Sequence, residues 1–217
     1  MRASKLTCLA VVAILAAMAL VSVSSAAAER TVLCKANEEH CSAENIWELL
    51  PENFKGAIGE ALGKAAELVM PGLPTVSCNT GKLASTLEET EGPLIGEVAK
   101  WNFINCGPSG CALAVPKELE TGYSAEVTAS GGGNGILEVG STPTVIATCS
   151  KFTCTYNASS MQFVVEGGPG EGEYGYISSE APMSKVPLKS SFICPSTATY
   201  VSLYQIVEPG SSTFVTH

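Results

Sequence analysis

Tyr123-Ser124-Ala125-Glu126-Val127-Thr128-Ala129-Ser130 runs into Gly131-Gly132-Gly133-Asn134-Gly135 and returns through Ile136-Leu137-Glu138-Val139. Tyr123, Ala125, Val127 and Ala129 alternate with Ser124, Glu126, Thr128 and Ser130, the period-two pattern of a strand with one buried face. The glycine-rich centre supplies the backbone freedom of a tight turn, and Leu137 and Val139 resume the apolar face on the way back. This stretch predicts an antiparallel hairpin, and its signature recurs along the chain.

Ala99, Trp101 and Phe103 share one face of a second expected strand, and Met161, Phe163 and Val165 share one face of a third. Further candidates are Thr75–Asn79, Lys82–Leu87, Thr144–Cys149, Thr153–Asn157, Tyr174–Ser178 and Thr197–Val207. Short strands separated by Gly, Pro, Ser and Asn, with no alternation of strands and helices, predict a mainly β fold, an antiparallel β-sandwich or open barrel. One segment reads otherwise. Within Pro51–Met70, Phe54, Ile58, Leu62, Ala65 and Val69 recur at three- and four-residue steps, which predicts a helical insertion over Phe54–Met70 that Pro71-Gly72 ends. Gly56, Gly59 and Gly63 each cost a helix interior about 1 kcal/mol, so that helix needs packing to hold it.

Upstream, Met1–Ser25 carries Arg2 and Lys5 ahead of an apolar run from Leu6 to Val23, followed by Ala26-Ala27-Ala28. This is the pattern of a secretory signal peptide cut after Ala28. The expected organisation is a signal peptide at 1–28, an N-terminal disulfide loop and helical segment at 29–74, and an antiparallel β domain at 75–217. An exported chain meets an oxidising environment, so its eight remaining cysteines are expected to be disulfide-bonded. Sequence proximity suggests the pairs Cys34–Cys41, Cys106–Cys111 and Cys149–Cys154, leaving Cys78 with Cys194.

Removing Arg2 and Lys5 takes the formal charge from −9 to −11, and every acid is a glutamate. An acidic chain of this kind repels phosphate backbones and anionic surfaces, so neither nucleic acid nor, after signal cleavage, a membrane is expected as a partner. The mature chain keeps one arginine, Arg30, and two histidines, His40 and His217.

Chemistry-bearing patterns are few. Gly170, Gly172 and Gly175 match a dinucleotide fingerprint in spacing, but Glu171 and Glu173 inside it would repel phosphate and a strand follows where a helix is required. Gly132-Gly133-Asn134-Gly135 resembles the start of a calcium-binding repeat, yet Leu137 replaces the liganding acid and only one copy exists. Cys34, Glu38, Glu39, His40 and Cys41 would serve zinc only with reduced thiols. A serine triad finds no aspartate, while Glu88, Glu89 and Glu91, or Glu118 and Glu120, supply carboxylates for a glycosidase only if two face each other across a cleft. Trp47, Trp101, Tyr123, Tyr156, Tyr174, Tyr176, Tyr200 and Tyr204 read first as packing, and as a glycan-stacking platform only where exposed and coplanar. No catalytic residue, cofactor or metal site is assigned.

CKANEEHCSAENIW (34–47), NCGPSGC (105–111), GGGNG (131–135), CSKFTCTY (149–156), KVPLK (185–189) and CPSTATYVSLYQIVEP (194–209) together carry a resemblance. The chain resembles, over most of Leu33–Pro209, a group of uncharacterised secreted proteins of high-GC Gram-positive bacteria. That resemblance implies an exported, cysteine-paired, β-rich protein of bacterial origin and implies no activity or functional residue. It also implies strand-like, Pro- and Gly-punctuated material at Ile46–Pro74, where the periodicity of this chain reads as helix.

The expected role is a secreted or envelope-associated, non-catalytic binding or structural module for an extracellular ligand, glycan or protein. The alternatives are a secreted glutamate-dependent, glycosidase-like hydrolase, favoured by two facing glutamates, and a disulfide-stapled inhibitor or adhesin that makes contact through Gly107–Gly110.

Overall fold

The computed structural model describes residues 30–38, 40–48, 54–58, 66–116, 122–168, 174–210 and 213–216. The expected signal peptide and its cleavage site lie outside the described residues. The 123–139 hairpin forms as expected. Strands β7 (Tyr123–Gly131) and β8 (Asn134–Val139) pair with Val127 opposite Leu137 and Ala125 opposite Val139, all four buried.

The remaining staves are β3 (Ala66–Val69), β4 (Val76–Glu88), β5 (Leu94–Gly107), β11 (Met161–Glu166), β12 (Tyr176–Lys185) and β13 (Thr197–Glu208). Running β13-β3-β4-β5-β7-β8-β11-β12 and back to β13, they make a closed eight-stranded antiparallel barrel. The closing ladder between β12 and β13 runs from Tyr176 opposite Gln205 to Ser184 opposite Thr197. The expectation of a sandwich or open barrel is therefore corrected to a closed one. Closure leaves no bare strand edge in the ring, and eight strands enclose a space that side chains alone can fill.

The helical insertion is also corrected. Where a helix was expected, the chain forms β2 (Phe54–Ile58) and β3, with 59–65 outside the described residues. Both strands lie between β13 and β4, one above the other. β3 pairs with Thr199–Ser202 and Val76–Cys78, and β2 pairs with Gln205–Glu208 and Gly81–Ser85, so a single stave is split in two. Ala66, Leu68 and Met70 are buried while Val69, placed by the helical reading on the inner face, is 37% exposed. Helix propensity weakened by three glycines loses to hydrogen bonding on both sides of the stave.

Two smaller pieces complete the fold. β9 (Thr144–Cys149) and β10 (Phe152–Asn157) form a hairpin that joins the end of β12 through Tyr156 opposite Lys185, with β6 (Cys111–Ala114) added beyond β9. Leu113, Val145, Ala147 and Tyr156 carry the core into this side sheet. At the other end, β1 (Val32–Cys34) pairs with β14 (Phe214–Thr216) and lies across the barrel, with the Val215 N–H donating to the Gly133 carbonyl. The glycine-rich turn has its reason here: a Cβ at Gly133 would stand 2.9 Å from the Phe214 ring and one at Gly135 2.7 Å from a Val215 methyl.

All eight described cysteines are bonded, and three of the four pairs differ from the proximity reading. Cys34–Cys41 forms as expected, but the others are Cys78–Cys106, Cys111–Cys149 and Cys154–Cys194. The cause is register. Cys78 stands opposite Cys106 in the β4–β5 ladder and Cys111 opposite Cys149 in the β6–β9 ladder, whereas Cys149 faces Phe152 across its own hairpin and Cys154 faces Ala147. Peptide mapping of the unreduced protein should recover these four pairs, and thiol reagents should label nothing before reduction. A peptide linking Cys106 to Cys111, or Cys78 to Cys194, would overturn the register described. Four disulfides favour an extracellular or otherwise oxidising location. Among the described residues no helix is long and apolar enough to cross a membrane.

Candidate functional site

The residues singled out for chemistry are mostly spoken for by structure. Cys34 and Cys41 are bonded to each other, and the Glu38 carboxylate beside them accepts from the Ser42 N–H at 3.0 Å and from Asn45 Nδ2 at 2.7 Å. These donors, the Ser42 amide foremost, hold the Glu38 carboxyl below its ordinary range. His40 is exposed and Glu39 lies outside the described residues. This loop is braced by its own hydrogen bonds, and bonded sulfurs are not thiolate ligands. Gly132 and Gly133 form a left-handed turn, while the Asn134 side-chain oxygen accepts from the Gly167 N–H at 3.0 Å. Of the dinucleotide-like stretch, 169–173 lies outside the described residues and a strand follows it.

The aromatic residues form no surface platform. Trp101, Tyr123, Tyr156, Tyr200 and Tyr204 are buried. Trp101 stands edge-on to Phe103, Tyr123, Phe163 and Tyr200 with centroids 5.7–6.2 Å apart, the geometry aromatic quadrupoles favour. Its indole N–H donates to the Tyr204 hydroxyl at 3.0 Å, which lies 2.7 Å from that of Tyr200. Burial pushes the Tyr200 hydroxyl up to about 12 and Tyr204 in the same direction, the charge on Tyr200 adding to the latter. This is a core network. Of the remainder, Trp47 is half-buried with the Lys35 ammonium 5.2 Å from its ring centre, Tyr174 is exposed and Tyr176 half-buried.

Two surface grooves deserve chemical scrutiny. β5 pairs with β7 only from Leu94 to Val98. Where it diverges, a groove of about 670 Å³ opens between Lys100–Asn102 and Val115–Pro116, reaching Tyr123. Glu97 is its one carboxylate among the described residues, and Lys100 its one cation. The second groove, about 560 Å³, includes Arg30, Trp47, Glu48, Glu88 and Glu89. Here Arg30 forms an ion pair with Glu89, an exposed pair of the kind that neutralises a carboxylate without activating it. Glu88 is exposed at the end of β4 and Glu91 on the turn after it, and Glu118 and Glu120 lie outside the described residues.

A different feature stands out at the barrel end that carries the side sheet. After β12 the chain makes one 3-10 turn, Pro187–Lys189, and a bend before Cys194. Its inner side is fixed to β10 almost atom by atom. The Val186 and Ser191 N–H groups donate to the Thr155 and Thr153 carbonyls, both at 2.8 Å. Ser191 Oγ and Ser190 Oγ accept from the Thr153 and Thr155 N–H groups, Thr155 Oγ1 donates to the Lys189 carbonyl, and Cys194 is bonded to Cys154. Its outer side presents Leu188 at 101% exposure, Phe192 at 94% and Ile193 at 42%. Lys185 Nζ donates to the Cys194 carbonyl at 2.8 Å, and Lys189 and Lys151 are exposed.

No protein-family model, curated protein or solved structure matches the chain. The chemistry of the surface is therefore the guide. Large apolar side chains on a protein surface are ordinary when scattered, but two of them fully exposed on one loop tied down along its base make a candidate contact site. This loop escaped the sequence reading because Leu188, Phe192 and Ile193 follow neither a period of two nor of 3.6. The usable signal was composition: KVPLKSSFICPS places three large apolar residues beside two lysines in a stretch with no strand pattern. The Gly107–Gly110 loop, the expected contact of a stapled inhibitor, has Pro108, Ser109 and Gly110 exposed between Cys106 and Cys111, at the same end of the barrel.

Proposed function

We propose that the protein is a secreted or envelope-associated, non-catalytic binding module that meets its target through the loop 186–196. The observation that carries this reading is the full exposure of Leu188 and Phe192 on a loop whose backbone is immobilised against β10 by hydrogen bonds and the Cys154–Cys194 disulfide. A rigid loop gives up little conformational entropy on binding, so its apolar surface converts efficiently into affinity. The four disulfides suit a protein that works outside the reducing cytosol. The barrel interior is filled by side chains, and among the described residues no two carboxylates are set facing each other across either groove, which favours recognition over hydrolysis.

The test is binding of the fluorescently labelled, oxidised protein to envelope fragments of the producing cells. The double variant Leu188→Ser/Phe192→Ser should bind at least tenfold more weakly while melting at the wild-type temperature, because both side chains are already in water. Equal binding by variant and wild type would remove the loop from the contact.

A further inference from the structure

We propose that the surface met by loop 186–196 is an anionic phospholipid bilayer, into which Leu188, Phe192 and Ile193 dip while Lys151, Lys185 and Lys189 sit at the level of the headgroups. This rests on the preceding reading of the loop as the contact site and names its partner.

The first argument is charge. Residues 139–165 and 181–207, which include β9, β10, the second half of β12 and the loop, contain Lys151, Lys185 and Lys189 and no acid. Most of the described glutamates lie at the opposite end: Glu88 ends β4 and Glu89 and Glu91 follow it, Glu166 and Glu208 end β11 and β13, and Glu38 and Glu44 lie beside β1, while Glu67, Glu97, Glu126, Glu138 and Glu180 lie along the staves. β4 has 13 residues, so its ends are separated by about 40 Å of strand, against a screening length of about 8 Å in physiological salt. The net negative charge that argues against an anionic surface is an average over the chain. A surface approaching the loop first meets the loop and the β9–β10 hairpin, whose described charges are all positive.

The second argument is shape and area. The three apolar side chains offer on the order of 400 Å², about half of the roughly 800 Å² per partner that a stable protein interface uses. Leu188 and Phe192 stand almost wholly in water rather than lining a groove. A protruding aromatic and aliphatic tip flanked by lysines is suited to the lipid–water boundary, where apolar groups leave water and cations pair with phosphate. Lysine stems reach from an apolar zone to headgroup level without losing hydration of the ammonium. The loop needs no rearrangement to enter such a surface, because its backbone hydrogen bonds are satisfied on the β10 side.

Vesicle flotation with the full-length oxidised protein tests this. Wild type should float with vesicles of equimolar phosphatidylglycerol and phosphatidylcholine, and at least tenfold less with phosphatidylcholine alone. Leu188→Ser/Phe192→Ser should lose at least tenfold on the anionic vesicles. Lys151→Gln/Lys189→Gln should also weaken flotation and flatten its dependence on salt between 50 and 500 mM NaCl. Absence of wild-type flotation on anionic vesicles overturns the proposal, as does flotation unchanged by Leu188→Ser/Phe192→Ser, which would be plain electrostatic adsorption. Failure on vesicles with loop-dependent binding to envelope fragments would mean a protein or glycan target, sinking the lipid inference alone. Loop-independent binding to envelope fragments would sink the underlying reading.

Discussion

Trp101→Ala is expected to lower the unfolding free energy by about 3–5 kcal/mol, the range for truncating a large buried aromatic. Trp101 sits where the barrel and the start of β7 converge, edge-on to four rings at once. Truncation removes all four contacts, opens a cavity that neighbours pinned in a closed barrel cannot refill, and strands the Tyr204 hydroxyl without its indole donor. Trp101→Phe keeps one six-membered ring and loses the rest of the indole with its N–H, so its cost should be smaller, about 1–3 kcal/mol. Urea unfolding of the oxidised proteins followed by circular dichroism separates the two. A loss below 1 kcal/mol for Trp101→Ala would mean that the interior is not organised around this ring.

The barrel should also be labile to alkali well before its disulfides or carboxylates are challenged. Tyr200 holds its proton up to about 12 because the anion would be buried, and Tyr204 is shifted upward for the same reason. In the unfolded chain a tyrosine releases its proton near pH 10. The folded state thus keeps protons that the unfolded state gives up. The stability these residues contribute is fully present below pH 10 and is lost as pH rises through the folded values. Each buried tyrosine removes up to about 1.4 kcal/mol per pH unit in that window, so Tyr200 alone withdraws about 2 kcal/mol by pH 12. Urea midpoints should be level from pH 8 to near 10 and then fall steeply. Tyr204→Phe should start lower, because the indole N–H loses its acceptor, and fall less steeply. A midpoint that stays level to pH 12 would place these hydroxyls in water.

What was legible in the sequence was local. The 123–139 hairpin, the Thr144–Cys149 strand and the long strand starting at Thr197 follow directly from alternation and turn composition, because one buried face imposes a period of two whatever the sheet's closure. Closure itself is not local. Whether β12 finds β13, and β13 then finds β3, depends on stave number and twist, which leave no mark on either strand alone. The same limit explains Phe54–Met70. Phe54, Ile58, Leu62 and Val69 satisfy a helical period on paper, but the gap between β13 and β4 demands hydrogen-bonded strands, and glycines at 56, 59 and 63 offer little resistance. Cysteine pairing failed for a related reason: Cys106 and Cys111 are close along the chain yet belong to different ladders. The loop carrying Leu188 and Phe192 was invisible to any search for periodicity because it obeys none.

The split stave has a consequence for how the chain reaches this shape. β13, close to the C-terminus, is the partner of β2 and β3 near the start and of β12 on its other side. Until β13 is in place, β12 and the β2–β3 stave each show a row of unmatched amide and carbonyl groups. A chain emerging from its N-terminus therefore spends almost its whole synthesis as an open ribbon with two adhesive margins, able to join a neighbour as readily as itself. The ring becomes unreactive only when β13 is in place, so slow delivery of β13, or its loss, would leave two margins open to polymerisation.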